Sequence, residues 1–401
     1  WAGKDIIFGS ELKALRAHSY CASEVCHKAL SQYLRFMYIP APRSIYPNIY
    51  KLEPGTILTI LESPPTIPPK NPIRPGEKYE SISIRQYWNL NEQIQNGATN
   101  LIKDEHEAIS LTEQTLKKAV KSQMISDVPL GAFLSGGVDS STIVAMMQSQ
   151  SNKPINTFTI GFSESNYDES SKAEAVSAHL GTIHNSLYVT DNDARDVIPD
   201  LPWLYDEPFA DSSQIPTHLI CRSAKKNVTV ALSGDGGDEM FGGYNRYIYG
   251  PKLWKRISHL PIPLRRALRS VAQKMPDYFW DRFESIYNKI KSKGSGISSL
   301  GKKVNRISEQ IVDMKTFEDF NKNIVSNWHE PNNILVNSVT EPNSHFEDTL
   351  PNGIVDLSML MIFQDIRSYL PDDILCKVDR AGMGINLETR TPFLDPDVIS
   401  L

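Results

Sequence analysis

At about 150 residues per domain, the 401 residues allow two or three domains. With 40% hydrophobic and 22% charged residues the chain has a globular composition, which excludes a collagen, a disulfide miniprotein, a disordered chain and a membrane bundle. A net charge of −5 gives no general reason to bind nucleic acid, and no apolar run approaches the ~18 residues of a membrane span.

The chain opens at Trp1 with no basic region leading into an apolar one, so no signal peptide is expected. Opening at a tryptophan and stopping at Leu401, it reads as an internal fragment of a longer protein. Asp5–Gly9 predicts a strand, and Ser10–Leu15 predicts the start of a helix with a serine cap. Cys21, Cys26, Cys221 and Cys376 are too scattered for a disulfide framework or a zinc pair. Reduced thiols and a cytoplasmic location are expected. Gly55–Leu61 alternates like a strand. Six prolines between Pro64 and Pro75 exclude a helix or central strand there, so 63–103 reads as a linker.

From Asp104 the pattern changes. Ile109, Leu116, Val120 and Met124 fall on one helical face. An apolar strand, Leu130–Leu134, runs into a Gly/Ser/Asp loop and then a helix carrying Ile143, Val144, Met146 and Met147, the methionines as core filler. Strand Ile155–Ile160, helix Ser171–Leu180 closed by Gly181, strand Ser186–Val189, helical segments to Lys226 and strand Val228–Leu232 continue the alternation. This order predicts an α/β fold with a doubly wound parallel sheet. Ligands of such sheets bind at the carboxyl ends of the strands. Residues 250–345 read as helical. Their basic stretch Lys252–Arg269 interleaves Trp254, but Asp277, Asp281 and Glu284 come soon after, so a solvated helix face is expected rather than a nucleic-acid patch.

Leu134-Ser135-Gly136-Gly137-Val138-Asp139-Ser140-Ser141 joins the first apolar strand to a helix. Paired glycines let backbone N–H groups close on an anion, serines add hydroxyl donors, and the helix N-terminus favours negative charge. Asp139 would repel a phosphate unless Mg²⁺ bridges them. The bland alternative is a helix-capping turn. No Gly-Lys-Ser/Thr comes after it, so the loop is not a Walker A. Leu232-Ser233-Gly234-Asp235-Gly236-Gly237-Asp238-Glu239 forms the second loop, and Glu239 stands where a dinucleotide fingerprint has its third glycine. Crowding Asp235, Asp238 and Glu239 costs energy unless a cation offsets them, the alternative being an exposed acidic turn. Together the loops predict one site for a nucleotide with Mg²⁺.

At these residues the chain resembles a known family. The first loop resembles the pyrophosphate loop of the N-type ATP pyrophosphatases, and with Ser233–Glu239 it is similar to the synthetase domain of glutamine-dependent asparagine synthetases. Tyr38-Ile39-Pro40-Ala41-Pro42-Arg43-Ser44-Ile45-Tyr46 resembles the family's interdomain segment. Asp206-Glu207-Pro208-Phe209-Ala210-Asp211-Ser212-Ser213 resembles the region before its site. Lys377-Val378-Asp379-Arg380-Ala381-Gly382-Met383-Gly384, with Glu388, Arg390 and Pro392-Phe393-Leu394-Asp395, resembles its late signature. The resemblance implies an adenine nucleotide alpha hydrolase-like sheet over 104–401 with a helical C-terminal part. It implies the tail of an α+β glutamine amidotransferase domain over 1–62 and an interdomain segment over 63–103. The family's cysteine nucleophile would lie before Trp1, so no glutaminase activity is expected from this stretch, and none of its cysteines takes that role.

The activity so implied is ATP-dependent amide formation, adenylating aspartate and aminating it with glutamine-derived ammonia. Carried over residue by residue, Ser135, Gly136, Gly137, Asp139 and Ser140 would hold pyrophosphate, with Asp139 and Asp238 on Mg²⁺. Leu134, Ile160, Ser233 and Gly234 would face adenine. Asp235 stands where some relatives have glutamate, toward substrate or ammonia. Lys377 would be the cation of adenylation, its bland alternative a surface lysine paired with Asp373 or Asp379. Gly382 and Gly384 depart from the family's usual Ser and Ala, a change bearing on the local helix. Rival readings keep the chemistry on another carboxylate, such as a sugar acid, or make the chain a non-catalytic nucleotide-binding partner. A tRNA-modifying role is disfavoured, lacking a basic surface or a cysteine pair. Small-molecule substrates are expected, without nucleic acid or membrane, and a homodimer stays open.

Overall fold

The computed structural model describes the chain except residues 22–23, 163–168, 277, 281, 283, 285–300, 302–303, 306–307, 309–311, 337–339, 343–344, 348–349 and 355. The acidic positions Asp277 and Asp281 therefore lie outside the described residues.

Near the start two expectations fail. Asp5–Gly9 is not a strand: Ala2 and Asp5 form a lone bridge, and Phe8 is 96% exposed, with no neighbouring chain to complete a ladder among the described residues. The helix begins at Leu12, and Ser10 is not its cap. A distant carboxylate does that work instead, since the Lys13 backbone N–H donates to Asp206 Oδ2 at 3.0 Å.

Strands β1 (Thr56–Ile60), β2 (Lys78–Tyr79) and β3 (Ile82–Gln86) form an antiparallel sheet in the order β1-β3-β2, with Thr56 opposite Gln86 and Ile60 opposite Ile82. Two of these strands lie in the stretch read as a linker. The prolines stop at Pro75, and beyond them Ile82 and Ile84 alternate with polar residues and are buried, which is a strand's one-faced pattern.

The main sheet is five-stranded and parallel: β4 (Leu130–Phe133), β5 (Asn156–Phe162), β6 (Ile183–Val189), β7 (Val230–Leu232) and β8 (Glu388–Arg390), in the order β6-β5-β4-β7-β8. The chain winds outward from β4 to β6, then returns to lay β7 on the other side of β4. Strand order thus reverses between β4 and β7, and the loops leaving their carboxyl ends diverge to open a crevice. The expected α/β parallel sheet is present. Its edge strand β8 was not anticipated.

Both faces of the sheet are covered. Leu116 and Val120 of helix Glu105–Gln123, with Ile143, Val144 and Met147 of helix Val138–Ser149, pack on Ala132 and Leu232. On the other face Cys221 and Ala224 of helix Gln214–Ala224, with Ala381 of helix Cys376–Met383, pack on Phe158 and Ala231. Neighbours Ala231 and Leu232 serve opposite faces, as a strand's period of two requires. Met146 packs beside buried Met147 as filler. Ile109 departs from the expected face at 58% exposed. Glu105, His106, Thr112 and Glu113 stand three and four residues from it, so no apolar stripe surrounds it. Gly181 ends helix Ser170–Leu180 at φ +71°, the left-handed conformation its position calls for.

The C-terminal helices build their own core around Tyr247, Phe320 and Met361. Trp254 belongs to it, with ring centroids 5.3 Å from Phe320 and 6.0 Å from Phe317. In the same basic stretch the Arg265 guanidinium donates to the Leu260 and Met314 carbonyls at 2.8 and 2.7 Å. No described helix is long and apolar enough to cross a membrane.

Candidate active site

The loops after β4 and β7 face one another across a cleft of about 340 Å³, a size suited to a small ligand. Leu134, Ser135, Asp139, Ser140, Ile160, Ser233, Gly234, Asp235 and Asp238 all line it. Gly136, Gly137 and Lys377 lie outside the lining, Lys377 close enough for its charge to act on Asp235. A larger cavity of about 610 Å³, bordered by Lys28, Arg43 and Glu341, shares none of these residues.

Close approach explains the glycines. Gly136 adopts φ +74°, and a β-carbon there would stand 2.7 Å from Lys172 Cβ and 2.8 Å from the Ala173 nitrogen. Between the loops, a β-carbon on Gly234 would stand 2.8 Å from the Ser140 nitrogen, and one on Gly237 would stand 2.6 Å from Asp139 Cγ. The two loops therefore interlock through missing side chains. Within the first loop, the Ser135 N–H donates to Ser140 Oγ at 3.1 Å, the two hydroxyls pair at 2.9 Å, and the Gly137 N–H donates to Ser135 Oγ at 3.3 Å. Helix Val138–Ser149 starts from Gly137 with no side-chain cap, so its N-terminus, directly after the first loop, has no capping side chain to compete with an anion.

The electrostatics of the cleft are those of crowded carboxylates. Burial, then Asp238 and Asp235, raise Asp139 above its ordinary value. Burial also raises Asp235, and Asp238 adds to the rise, while a Ser233 Oγ–H donation at 2.5 Å and the Lys377 charge oppose it. Asp238 is raised by burial, with the Arg246 charge opposing. Glu239 turns inward: it is 1% exposed and accepts from the Tyr244 hydroxyl at 2.6 Å.

Lys377 is no surface lysine. Its side chain is 9% exposed, and its partners are Asp211 at 2.5 Å and Asp373 at 4.0 Å, not Asp379. Gly382 and Gly384 have a packing reason. A β-carbon at Gly382 would stand 2.7 Å from the Leu387 carbonyl oxygen, and one at Gly384 would collide with Leu204 Cδ2 and stand 3.1 Å from the Arg380 carbonyl oxygen. Helix Cys376–Met383 runs through Gly382 without a break. Sequence reasoning missed the cluster beside the second loop, where Arg246 pairs with Asp365 at 2.8 Å and stacks over Tyr244 and Tyr369. The aromatic run Tyr244-Asn245-Arg246-Tyr247, directly after Gly242 and Gly243, was the available signal.

These residues fit a magnesium-loaded triphosphate. Among the described residues no group of three His, Cys, Asp or Glu forms a metal cage. Mg²⁺ with ATP does not ask for one: it takes one or two carboxylates and completes its shell with phosphate oxygens and water. Asp139 and Asp238 both line the cleft and would supply that number, and Gly234 and Gly237 leave beside Ser140 and Asp139 a cradle that β-carbons would fill.

Comparison with known proteins agrees with this geometry. The family model described as "Asparagine synthase" matches residues 111–401, and that described as "Glutamine amidotransferase domain" matches residues 1–67. The chain is 31% identical over 397 residues to asparagine synthetase (glutamine-hydrolyzing) 1 of Bacillus subtilis (strain 168), covering 99% of this chain and 56% of that relative. It is 38% identical over 279 residues to putative asparagine synthetase (glutamine-hydrolyzing) 2 of Methanocaldococcus jannaschii, covering 69% of this chain and 49% of that relative. The chain spans about half the length of the curated relatives it matches. A family model that matches residues 111–401, well over half of the chain, means that the chain belongs to the asparagine synthase family.

Proposed function

We propose that the protein is an ATP-dependent amide-forming ligase that adenylates the side-chain carboxylate of aspartate and aminates it with glutamine-derived ammonia. Residues 1–62 would then belong to the amidotransferase domain, 63–103 to the interdomain segment and 104–401 to the synthetase domain. The observation that carries this reading is the interlock of the two loops, in which Gly234 and Gly237 let Ser140 and Asp139 approach. The printed names of the relatives, asparagine synthetases that hydrolyse glutamine, favour aspartate as the acceptor.

The chemistry explains why such a cleft is needed. A carboxylate is resonance-stabilised and its oxide leaves poorly, so ammonia does not displace it directly. A carboxylate oxygen bonds to the α-phosphorus of ATP, and the α–β phosphoanhydride bond breaks to release pyrophosphate. Ammonia then forms the C–N bond, AMP leaves and the nitrogen sheds a proton. Such a reaction asks for positioning and charge neutralisation more than for covalent chemistry by the protein. Asp139 and Asp238 would hold Mg²⁺, whose chemistry is to neutralise the phosphates. The N–H groups around Gly136 and Gly137 and the hydroxyls of Ser135 and Ser140 would cradle the leaving pyrophosphate. Leu134, Ile160, Ser233 and Gly234 would seat the adenine. Lys377 would offset charge on the α-phosphate, and Asp235 would face the acceptor or the incoming ammonia.

The test supplies the protein with ATP, Mg²⁺, aspartate and an ammonium salt, then measures pyrophosphate, AMP and asparagine. Equimolar release of all three, dependent on aspartate, is the expected result. Formation of ADP and phosphate, or pyrophosphate release indifferent to aspartate, would overturn the assignment.

A further inference from the structure

The surroundings of Lys377 are more ordered than a stray buried ion pair requires. Its Nζ donates to Asp211 Oδ2 at 2.5 Å across a sequence separation of 166 residues. Asp211 is itself fixed: Oδ1 accepts from the Ser213 backbone N–H and from Ser213 Oγ, both at 2.8 Å. Ser213 is the N-cap residue of the eleven-residue helix Gln214–Ala224, so the carboxylate sits at that helix's positive end. On the other side, Leu370–Leu375 is a π-helical turn leading directly into helix Cys376–Met383. Such turns are frequent at functional sites. Ile374, within the turn, lines the nucleotide cleft, and Lys377 lies three residues further on.

Building on the ligase reading above, we propose that Asp211 is a positioning residue, clamping the Lys377 ammonium beside Asp235 where the acceptor carboxylate meets the α-phosphate. Asp373 completes the arrangement. It is 4% exposed, and its Oδ1 has no hydrogen-bond partner among the described residues. Burial opposes ionisation of Asp211, yet Lys377 and Ser213 hold it below the usual carboxylate range. Burial and then the Asp211 charge push Asp373 up to about 8, with Lys377 opposing. A neutral Asp373 removes one of the carboxylate charges around the ammonium, which leaves it more attraction for a phosphate.

The test uses aspartate-dependent pyrophosphate release at saturating ammonium. Asp211→Asn keeps the shape that accepts from Ser213 but removes the charge that holds Lys377. Its kcat should fall about 10²-fold, the cost of a misplaced group, with the KM for ATP unchanged. Asp211→Glu, which keeps the charge at a shifted position, should recover part of that loss. Combining Asp211→Asn with Lys377→Met should add no loss to Lys377→Met alone, because both remove one device. Additive losses, or a wild-type kcat for Asp211→Asn, would overturn the positioning role while leaving the ligase assignment intact. A wild-type kcat for Lys377→Met would instead remove Lys377 from the reaction. Should Asp211→Asn not fold, Ser213→Ala loosens the same carboxylate more gently. Its kcat should fall at unchanged KM, and an unchanged kcat would equally overturn the positioning role.

Discussion

Gly237 and Asp139 stand so close that a β-carbon on the glycine would lie 2.6 Å from the aspartate's Cγ and 2.8 Å from its Oδ2. Gly237→Ala must therefore push the Asp139 carboxylate aside. Because the obstacle is the end of a side chain, the fold can give way while the Asp139 carboxylate, proposed above as a Mg²⁺ ligand, is displaced. Pyrophosphate release should fall about 10²-fold. The thermal midpoint should move by no more than a few degrees. Gly97→Ala is the control. Gly97 lies within helix Leu90–Thr99 with open space around it, so alanine should stabilise by about 0.5–1 kcal/mol and leave activity alone. Steady-state kinetics with a thermal melt on each variant separates the two effects.

Asp139→Asn should abolish pyrophosphate release and raise, rather than lower, the thermal midpoint measured with a chelator present. Asp139 is pushed up by burial and by the charges of Asp238 and Asp235, so its ionised form is disfavoured without a cation. Removing that charge relieves the repulsion. Added Mg²⁺ with ATP should raise the midpoint of the unaltered protein more than that of the variant. A midpoint that drops with the substitution in the presence of chelator would show that Asp139 stabilises the loop by itself.

Much of this site was legible along the chain because its signals are local. A Gly-rich loop carrying Asp139 comes after one short apolar strand, and another carrying Asp238 comes after a second, so sequence neighbours already mark the two loops that line the cleft. The alternation of strands and helices likewise exposed the parallel sheet. What escaped depends on partners far away in sequence. Glu388–Arg390 has no apolar run, and it is a strand only because the Glu388 N–H donates to the Thr229 carbonyl at 2.9 Å and the ladder continues along β7. Asp211 and Lys377 meet only when helices Gln214–Ala224 and Cys376–Met383 pack on the same face of the sheet. The converse failure is Asp5–Gly9, whose composition suits a strand but which finds no neighbour among the described residues. Ile82 and Ile84 did carry a readable alternation, hidden by the prolines before them.

Stability should fall as pH rises from about 4 to about 8. Asp373, pushed up to about 8 by burial first and the Asp211 charge second, keeps its proton in the folded protein over a range where the unfolded chain has released it. The folded state then binds more protons than the unfolded one, so unfolding free energy declines with pH across that window and levels off above it. Burial raises Asp235, Asp365 and Asp372 in the same direction. Asp211 is lowered and acts in a different window: its contribution is present above the unfolded carboxylate value and is lost as pH falls through its own. Asp373→Asn should flatten the decline between pH 5 and 8 without erasing it, as read from urea midpoints across that range. An unchanged slope would mean that Asp373 is ionised in the folded protein.

Arg246 and Tyr247 tie their helix, Asn245–Ile257, to helix Leu357–Arg367 through Asp365. Asp365 Oδ2 accepts from Arg246 at 2.8 Å and from the Tyr247 hydroxyl at 2.5 Å. Asp365 is 2% exposed, whereas the Arg246 side chain keeps 27% of its surface in contact with solvent. Removing one partner of a buried pair typically costs 3–5 kcal/mol because the other charge is stranded. Here the stranded guanidinium would still touch water and lies over the Tyr244 and Tyr369 rings, so Asp365→Ala should cost about 3 kcal/mol, the lower end. Tyr247→Phe removes one donor to a charge and leaves Arg246 in place, for a loss of about 1.5 kcal/mol. The double variant should cost less than the sum, since once Asp365 is gone the tyrosine hydroxyl has lost its acceptor. Urea unfolding of the four proteins measures the coupling. Strict additivity would show that the tyrosine and the carboxylate stabilise the helices independently, despite their 2.5 Å contact.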